Sequence, residues 1–457
     1  MSGNALPPTA LALAGAFACG EASPVEALKE CLERVDAVNP ALNAMVTLDR
    51  EGAQKAAMES ARRWRDGQPL SPLDGVPITI KDNLLVRGLR ATWGSALYEH
   101  FVPDRDERPV ARLRAAGLVF LGKTNVPEFT LQGYTDNKLF GCTRNPWQPA
   151  LTPGGSSGGA VASVASGMAP LALATDGGGS IRRPASHTGL IGYKPTTGRI
   201  RRADGFPAIL HDFEVVGPIA RTIADAAAMM AILVDGDRPW RPVTERPVME
   251  RPSRRARIAY VPRFGDAPVD PQIESSVSSA AQLMEALGHG VDTIACPFDL
   301  ERTAEAFRTV SAAGLAWLLR GFGKDAVERC GADLQAIAHH GESLRAADYA
   351  GALADAAQLE RRLGDLFERY DAILTPAAAA LPWPAGQSHP EEIAGIAVGP
   401  RGHAVFTAFA NVSGCPALSL PVSPSDDGLP IGLQLVGAWG SDESLFEIGA
   451  EFLRQRG

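Results

Sequence analysis

Two serines set among glycines are the groups of this chain best suited to chemistry. Between Thr152 and Pro184 the sequence reads TPGGSSGGAVASVASGMAPLALATDGGGSIRRP. Gly154, Gly155, Gly158 and Gly159 flank Ser156 and Ser157, and Gly177, Gly178 and Gly179 run directly into Ser180. Glycine tolerates positive φ and leaves consecutive amides bare, so each turn can present a hydroxyl beside N–H groups able to meet an oxyanion. That equipment fits acyl transfer. A flexible Gly/Ser linker would not be interrupted by AVASVASGMAPLALAT, which has helix and then strand character.

The elements that must position these turns are legible on either side. Ser23 as N-cap and Pro24 at the first helical position open an amphipathic helix over VEALKECLERVDAV, and a second helix fits EGAQKAAMESARRWRDG. VPITIKDN alternates as a strand, which places Lys81 at a strand end beside Asp82 and Asn83. The helix PVARLRAAG closes at Gly117 and the strand LVFLG follows. After Pro184, LIGYKP reads as a strand, GPIARTIADAAAMMAILV as a helix, ARIAYVP as a strand, DPQIESSVSSAAQLMEALG as a helix and VDTIAC as a strand. A mainly helical stretch from Asp299 to Tyr370 precedes the strands DAILTP, PALSLPV and IGLQLVG and a closing helix. This alternation predicts an α/β fold around a mixed central sheet. We expect one domain over residues 1–457, with a chemical core at 70–200 and a helical cap at 299–370.

Two motifs mislead. GLVFLGKT, Gly117 to Thr124, matches the phosphate-loop pattern letter for letter, but its four variable positions are the strand itself, so their amides belong to a sheet ladder and cannot wrap a phosphate. GGSSG matches a nucleophile elbow at Ser156, yet no apolar strand precedes it. The histidines that could complete a hydrolase triad (His187, His211, His289, His339, His340, His389, His403) read as surface or core residues.

Composition bounds the rest. With 457 residues, 45% of them hydrophobic and 21% charged, the chain can bury a large core, and a net charge of −8 argues against a nucleic-acid surface. Six cysteines without paired spacing indicate neither a disulfide framework nor a zinc site, and a cytoplasmic location is expected. PTALALAGAFACG has the apolar run of a signal peptide but no basic residue before it, and is expected to be a first helix. No apolar run reaches the roughly 18 residues that a membrane span requires.

The ordered set GVPITIKDN, GKTNVPEF, FGCTRNPW, TPGGSSGGA, TDGGGSIRRPA, GLIGYKPT and GPIARTIADA, with FTAFANVSGCPALSLPV and GLPIGLQLVG near the C-terminus, resembles the amidase signature family. The resemblance runs from Ser23 to the end of the chain. It implies that family's fold, a mixed sheet flanked by helices on both faces. It also implies a Ser-cisSer-Lys triad: Ser180 as nucleophile, Ser156 as the bridging serine after a cis peptide bond, and Lys81 as base. The spacing from Ser180 selects Ser156 over Ser157, which is expected to support by hydrogen bonding. The amides of Gly177, Gly178, Gly179 and Ser180 would form the oxyanion hole, and Thr130, Leu131, Gln132, Gly133 and Tyr134 would contribute substrate-binding walls. Gly177 stands where a bulkier residue is common, and Glu214 where the family often has Asp.

The implied chemistry is self-consistent. A serine becomes nucleophilic enough for an amide when a neighbouring base takes its proton, and a lysine is a base only when burial keeps it neutral. Asp176 and Arg182 are expected to hold the nucleophile turn as a structural pair. Two functions follow from the resemblance: a hydrolase of small uncharged amides, anilides, esters or aryl carbamates, and the glutamine-hydrolysing component of a tRNA-dependent amidotransferase. Family glutamine sites use an acidic residue before the FT segment and an arginine on the helix before the YD strand; here Ala404 and an alanine-rich helix face stand there. The first function is therefore expected, with an entrance lined by Phe307, Leu315, Trp317, Leu318 and Leu319 and lacking a fixed charge. No cofactor or metal is expected. The expected partners are the small-molecule amide or carbamate substrate and a second copy of the chain in a homodimer, without nucleic acid or membrane.

Overall fold

The computed structural model describes residues 6–234 and 255–456; residues 1–5, 235–254 and 457 of the expected domain lie outside the described residues. Its centre is an eleven-stranded sheet built from β1 (Met45–Leu48), β2 (Pro77–Lys81), β3 (Val119–Thr124), β4 (Leu171–Asp176), β5 (Ile191–Lys194), β6 (Val215–Ala220), β7 (Arg257–Tyr260), β8 (Gly290–Thr293), β9 (Ala372–Pro376) and two late strands. A small hairpin, β10 (Glu392–Ile393) and β11 (Ile396–Ala397), stands apart, and β12 (Ala417–Val422) and β13 (Ile431–Gly437) complete the large sheet. The order across it is β1-β3-β2-β4-β6-β5-β12-β13-β9-β7-β8. Pairs β2–β3, β2–β4, β7–β8 and β7–β9 are parallel and the others antiparallel, so the sheet is mixed as the sequence predicts.

The apolar run PITIK of β2 is buried along its whole length between parallel neighbours, which is the position a continuous hydrophobic strand demands. Because Ile80 of β2 is level with Leu173 of β4, the ends of both strands, Lys81 on one and Thr175 and Asp176 on the other, emerge on the same edge. In open α/β sheets the crevice beyond such carboxyl ends is where ligands bind. The helix Gly158–Ala165, GGAVASVA, is buried throughout, and its small residues let it lie close on β2 and β4.

At the N-terminus, Ser23 and Glu26 form a complete capping box, and Ala10–Cys19 is a helix capped by Thr9 and ended by Gly20 at φ 72°. The strand β3 runs through the phosphate-loop lookalike, and its Lys123 is buried against Asp82 at 3.1 Å. One element differs from expectation. GPIARTIADAAAMMAILV is not one helix: GPIA ends β6, and the helix Ile223–Leu233 begins after Thr222, whose hydroxyl accepts from the Asp225 amide. A central strand usually excludes proline, but β5 pairs with β6 only at Ile191↔Ala220 and Gly192↔Ile219, ending before Pro218.

Between β8 and β9 lie the helices Leu300–Arg320, Ala326–Arg329, Ala332–Ser343 and Ala346–Phe367. The first of them places Phe307 against Gly178, two residues before Ser180, which is how this region meets the site. Among the described residues no helix is long and apolar enough to cross a membrane.

Candidate active site

Lys81 ends β2 with no exposed surface, and its ammonium group could be buried there only at a high desolvation cost. Nζ lies 2.8 Å from Ser156 Oγ, 2.9 Å from Thr175 Oγ1 and 3.0 Å from the Thr175 carbonyl oxygen. No carboxylate is within hydrogen-bond reach of it among the described residues. Burial lowers its pKa from the usual 10.5 to about 7, against the opposing pull of Glu214 and Asp176. The geometry suits a neutral amine: two N–H groups donate to the Thr175 oxygens, and the lone pair is left for the Ser156 hydroxyl. Asn83 Nδ2 also donates to Thr175 Oγ1 at 2.9 Å, fixing that side chain.

Ser156 follows a cis peptide bond from Gly155. Gly155 is needed because a Cβ there would stand 2.2 Å from the Tyr134 carbonyl oxygen. The cis-serine loop is tied to the nucleophile turn by the Ser157 amide, which donates to the Ser180 carbonyl at 3.2 Å, while Ser157 Oγ donates to the Thr175 carbonyl at 3.2 Å. Ser157 thus supports the site by hydrogen bonding. Lys81 and Ser156 are thus in direct contact, Ser180 sits on the turn tied to the cis-serine loop, and Ser180, at 6% exposure, is the most accessible of the three.

The turn before Ser180 is held by Asp176. Its carboxylate accepts from the amides of Gly179 (2.6 Å) and Ile181 (3.0 Å), and from Arg182 Nε (3.0 Å) and Nη2 (2.9 Å). Burial alone would raise this carboxyl, but Arg182 and the amides outweigh it and hold it well below the usual carboxylate range. Asn411 Nδ2 donates to Asp176 twice, at 2.8 Å to the carbonyl and 3.0 Å to Oδ1, and the Asn411 side-chain oxygen accepts from Arg182 Nη2. Asp176 and Arg182 therefore form a buried structural pair. One expected oxyanion donor is corrected: the Gly179 amide, at φ 107°, is spent on Asp176, which leaves Gly177, Gly178 and Ser180.

The segment after the EF motif lies against the cis-serine loop through Tyr134, but its residues divide. Thr130 is committed to the scaffold, with its hydroxyl donating to the Phe129 carbonyl at 2.6 Å and accepting from Trp93 Nε1 at 3.1 Å. Leu131 packs on the core, Gln132 and Tyr134 are partly exposed, and Gly133 abuts the His403 ring. Of the expected apolar entrance, only Phe307 reaches the site: a Cβ on Gly178 would stand 2.8 Å from its Cζ. Leu315, Leu318 and Leu319 are core residues and Trp317 is 59% exposed: Leu318 shares the face of Phe307 but lies about three turns further along the helix, and the other three occupy other faces. The absence of a fixed charge is also corrected, since the Arg401 guanidinium lies over the Phe307 ring at 4.7 Å and beside Gly178.

Thr175, Asn83, Arg183, Arg401, Thr407 and Asn411 are site residues that sequence reasoning missed. Arg183 is buried, and its guanidinium donates to the Gly178 carbonyl, to Thr407 Oγ1 at 2.8 Å and to the Gly155 carbonyl at 3.3 Å. Asn83 and Thr175 adjoin predicted residues in sequence; Arg401 and Asn411 have no local signal. His187 and His403 are buried nearby and held neutral, burial lowering His187 from 6.5 to about 4 and, with Arg183 and Arg401, taking His403 well below its usual value.

This arrangement has counterparts among known proteins. The chain is 34% identical to a glutamyl-tRNA(Gln) amidotransferase subunit of Synechococcus sp. (strain WH7803), covering 95% of this chain and 94% of the relative. Its fold superposes on a bacterial aryl acylamidase of the amidase signature enzymes with a TM-score of 0.89 at 26% identity, over 98% and 96% of the two chains. It superposes on the corresponding glutamyl-tRNA(Gln) amidotransferase subunit of Thermotoga maritima with a TM-score of 0.73 at 27% identity, over 93% and 90%. The family model for amidase matches residues 26–446, a span that holds the buried lysine, both serine turns and the Asp176 clamp, and the chain belongs to the amidase signature family.

Proposed function

We propose that this amidase works without a partner protein, hydrolysing small amides and anilides, and aryl carbamates by the same acyl transfer, through Ser180, Ser156 and Lys81. The observation that carries the reading is the buried Lys81 amine, bonded to Ser156 and Thr175 and to no acid. In the proposed sequence, Ser180 Oγ attacks the carbonyl carbon as its proton passes to Ser156, whose own proton passes to Lys81 Nζ. The tetrahedral oxyanion is met by the amides of Gly177, Gly178 and Ser180. The proton returns by the same path to the departing amine as the C–N bond breaks. Water then attacks the acyl-enzyme with the same relay, releasing the acid and regenerating Ser180.

Partner independence is supported by what surrounds the site. A glutamine site must satisfy both an ammonium and a carboxylate, because leaving either unpaired in a buried site costs several kcal/mol. Ala404 is buried where family glutamine sites carry an acid, and the partly buried Arg401 offers only the cationic half. The superposition is also better on the aryl acylamidase than on the Thermotoga protein. A second reading, the glutamine-hydrolysing component of a tRNA-dependent amidotransferase, draws on the sequence identity to such proteins.

The test is to assay the purified chain alone on an anilide, an aryl carbamate, a primary amide and glutamine under identical conditions. The proposal predicts partner-free turnover, with kcat/KM for glutamine the lowest of the four. Preference for glutamine, or activity only on adding a partner protein, contradicts it.

A further inference from the structure

Elsewhere around the site, buried and half-buried arginines are matched with acids. Arg182 is paired with Asp176, and Arg202 with both Glu107 and Glu214. At Gly178 this rule fails twice. Arg183 is buried yet bonds only neutral acceptors, and its Nε has no partner. Arg401, partly buried, has no carboxylate in ion-pairing reach among the described residues; it stacks on Phe307, and the charged groups that bear on it most are cations, Arg308 and Arg183. A Cβ on Gly178 would lie 2.8 Å from Phe307 Cζ and 3.4 Å from Arg401 Nη2, so the guanidinium stands immediately over the turn that presents Ser180.

Two guanidiniums with no carboxylate in contact among the described residues repel each other, Asp176 opposing this for Arg183 only from a distance, and an arriving anion would offset the cost. His403 adds an independent sign. It is 1% exposed, neither ring nitrogen has a hydrogen-bond partner, and it lies between Trp383, at 4.6 Å between ring centroids, and Gly133 of the segment that abuts the cis-serine loop. A neutral imidazole there still has one N–H to donate.

We infer that Arg401 is a specificity-determining residue that receives a carboxylate of the substrate, so that among the amides this enzyme takes it prefers monoanionic ones, with the carboxylate a few bonds from the scissile carbonyl. The inference rests on the amidase reading and narrows its substrate class. Arg183 is a positioning residue here: its Nη1 and Nη2 groups bond the Gly178 and Gly155 carbonyls and Thr407, which commits its guanidinium to the two serine turns, whereas Arg401 stands beside Gly178 with no such bonds among the described residues. The same layout discriminates against zwitterions, because an ammonium beside Arg401 and Arg183 meets like charge and no acid.

The experiment compares kcat/KM for succinamate and N-acetylglycine, which carry the carboxylate on the acyl and the amine side, with that for their neutral methyl esters, scoring amide cleavage. The wild type should favour at least one acid over its ester, and Arg401→Gln should reduce that preference about 10- to 100-fold, mainly through KM. Arg401→Lys should restore part of it, and Arg308→Gln should leave it within about two-fold of wild type. Independently of any variant, succinate should inhibit cleavage of a neutral amide competitively by the wild type, and more weakly as salt is raised. Equal handling of acids and esters, or a preference untouched by Arg401→Gln, overturns the inference while leaving the amidase reading intact. Failure of every amide, neutral or acidic, to acylate Ser180 overturns the amidase reading and this inference with it.

Discussion

Two lysines lie at the carboxyl ends of neighbouring parallel strands, Lys81 the last residue of β2 and Lys123 the last but one of β3, and both are fully buried. Lys123 of β3 has Asp82 at 3.1 Å; Lys81 of β2 has only hydroxyls and a carbonyl. Burial lowers both pKa values, but for Lys123 the adjacent carboxylate pulls back, favouring an ion pair whose work is structural. For Lys81 the acids that oppose the shift, Glu214 and Asp176, act at longer range and are themselves engaged by arginines. On the proposed mechanism, what separates the catalytic lysine from the structural one is the acid left out of its first contacts. The same contrast divides Arg182, clamped to Asp176, from Arg401, left open.

Substitution should expose that difference most strongly at the two lysines. Lys81→Met should lower kcat/KM by about 10² to 10⁴, the usual cost of losing an activating base, with no loss of melting temperature because it removes a buried amine that has no counter-ion. Lys123→Met should do the reverse. It leaves Asp82 buried and unpaired, at about 3 to 5 kcal/mol of stability, with a much smaller effect on turnover measured well below the melting transition. Intact-protein mass spectrometry adds the limiting case: Ser180→Ala should form no acyl adduct with an activated anilide, whereas Lys81→Met should form one slowly. Equal effects of the two lysine substitutions on rate and stability would erase the distinction.

A smaller effect sharpens it. Thr175→Val removes a hydroxyl that bonds both Lys81 and Asn83, which should cost about 1 to 3 kcal/mol in transition-state stabilisation, read as a fall of roughly 5- to 150-fold in kcat/KM. An unchanged rate would mean that the amine is not held by this clamp.

Much of this was legible in the sequence because it is local. The strand VPITIK placed Lys81 at a strand end, and the apolar letters inside GLVFLGKT marked a strand where a phosphate loop needs bare amides. The serine turns announced themselves by glycine. What was not legible depends on contacts distant in sequence or on helix rotation. Arg401 lies in GPRGHA with no periodicity to place it, and it meets Gly178 only because the chain returns after β9. Helical spacing could not say which of Phe307, Leu315 and Leu318 would face the nucleophile turn; packing of the helix Leu300–Arg320 selects Phe307. Pro218 and the alanine-rich helix that follows mask β6 in the sequence, and the bond by which Asp176 claims the Gly179 amide depends on the fold of the turn, which glycine spacing does not reveal.

The proposed proton relay requires Lys81 to be a neutral amine at working pH. A lysine whose pKa is about 7 is the charged acid below that value and the free base above it, so the proton-accepting form grows as pH rises through 7. The direct measurement is NMR titration of the folded protein labelled with 13C at lysine Cε, with the Lys81 signal assigned by its loss in Lys81→Met. A Lys81 titration midpoint near pH 7 that coincides with the rise of kcat/KM is the expected result; a Lys81 signal that remains that of an ammonium up to pH 10 would rule the relay out.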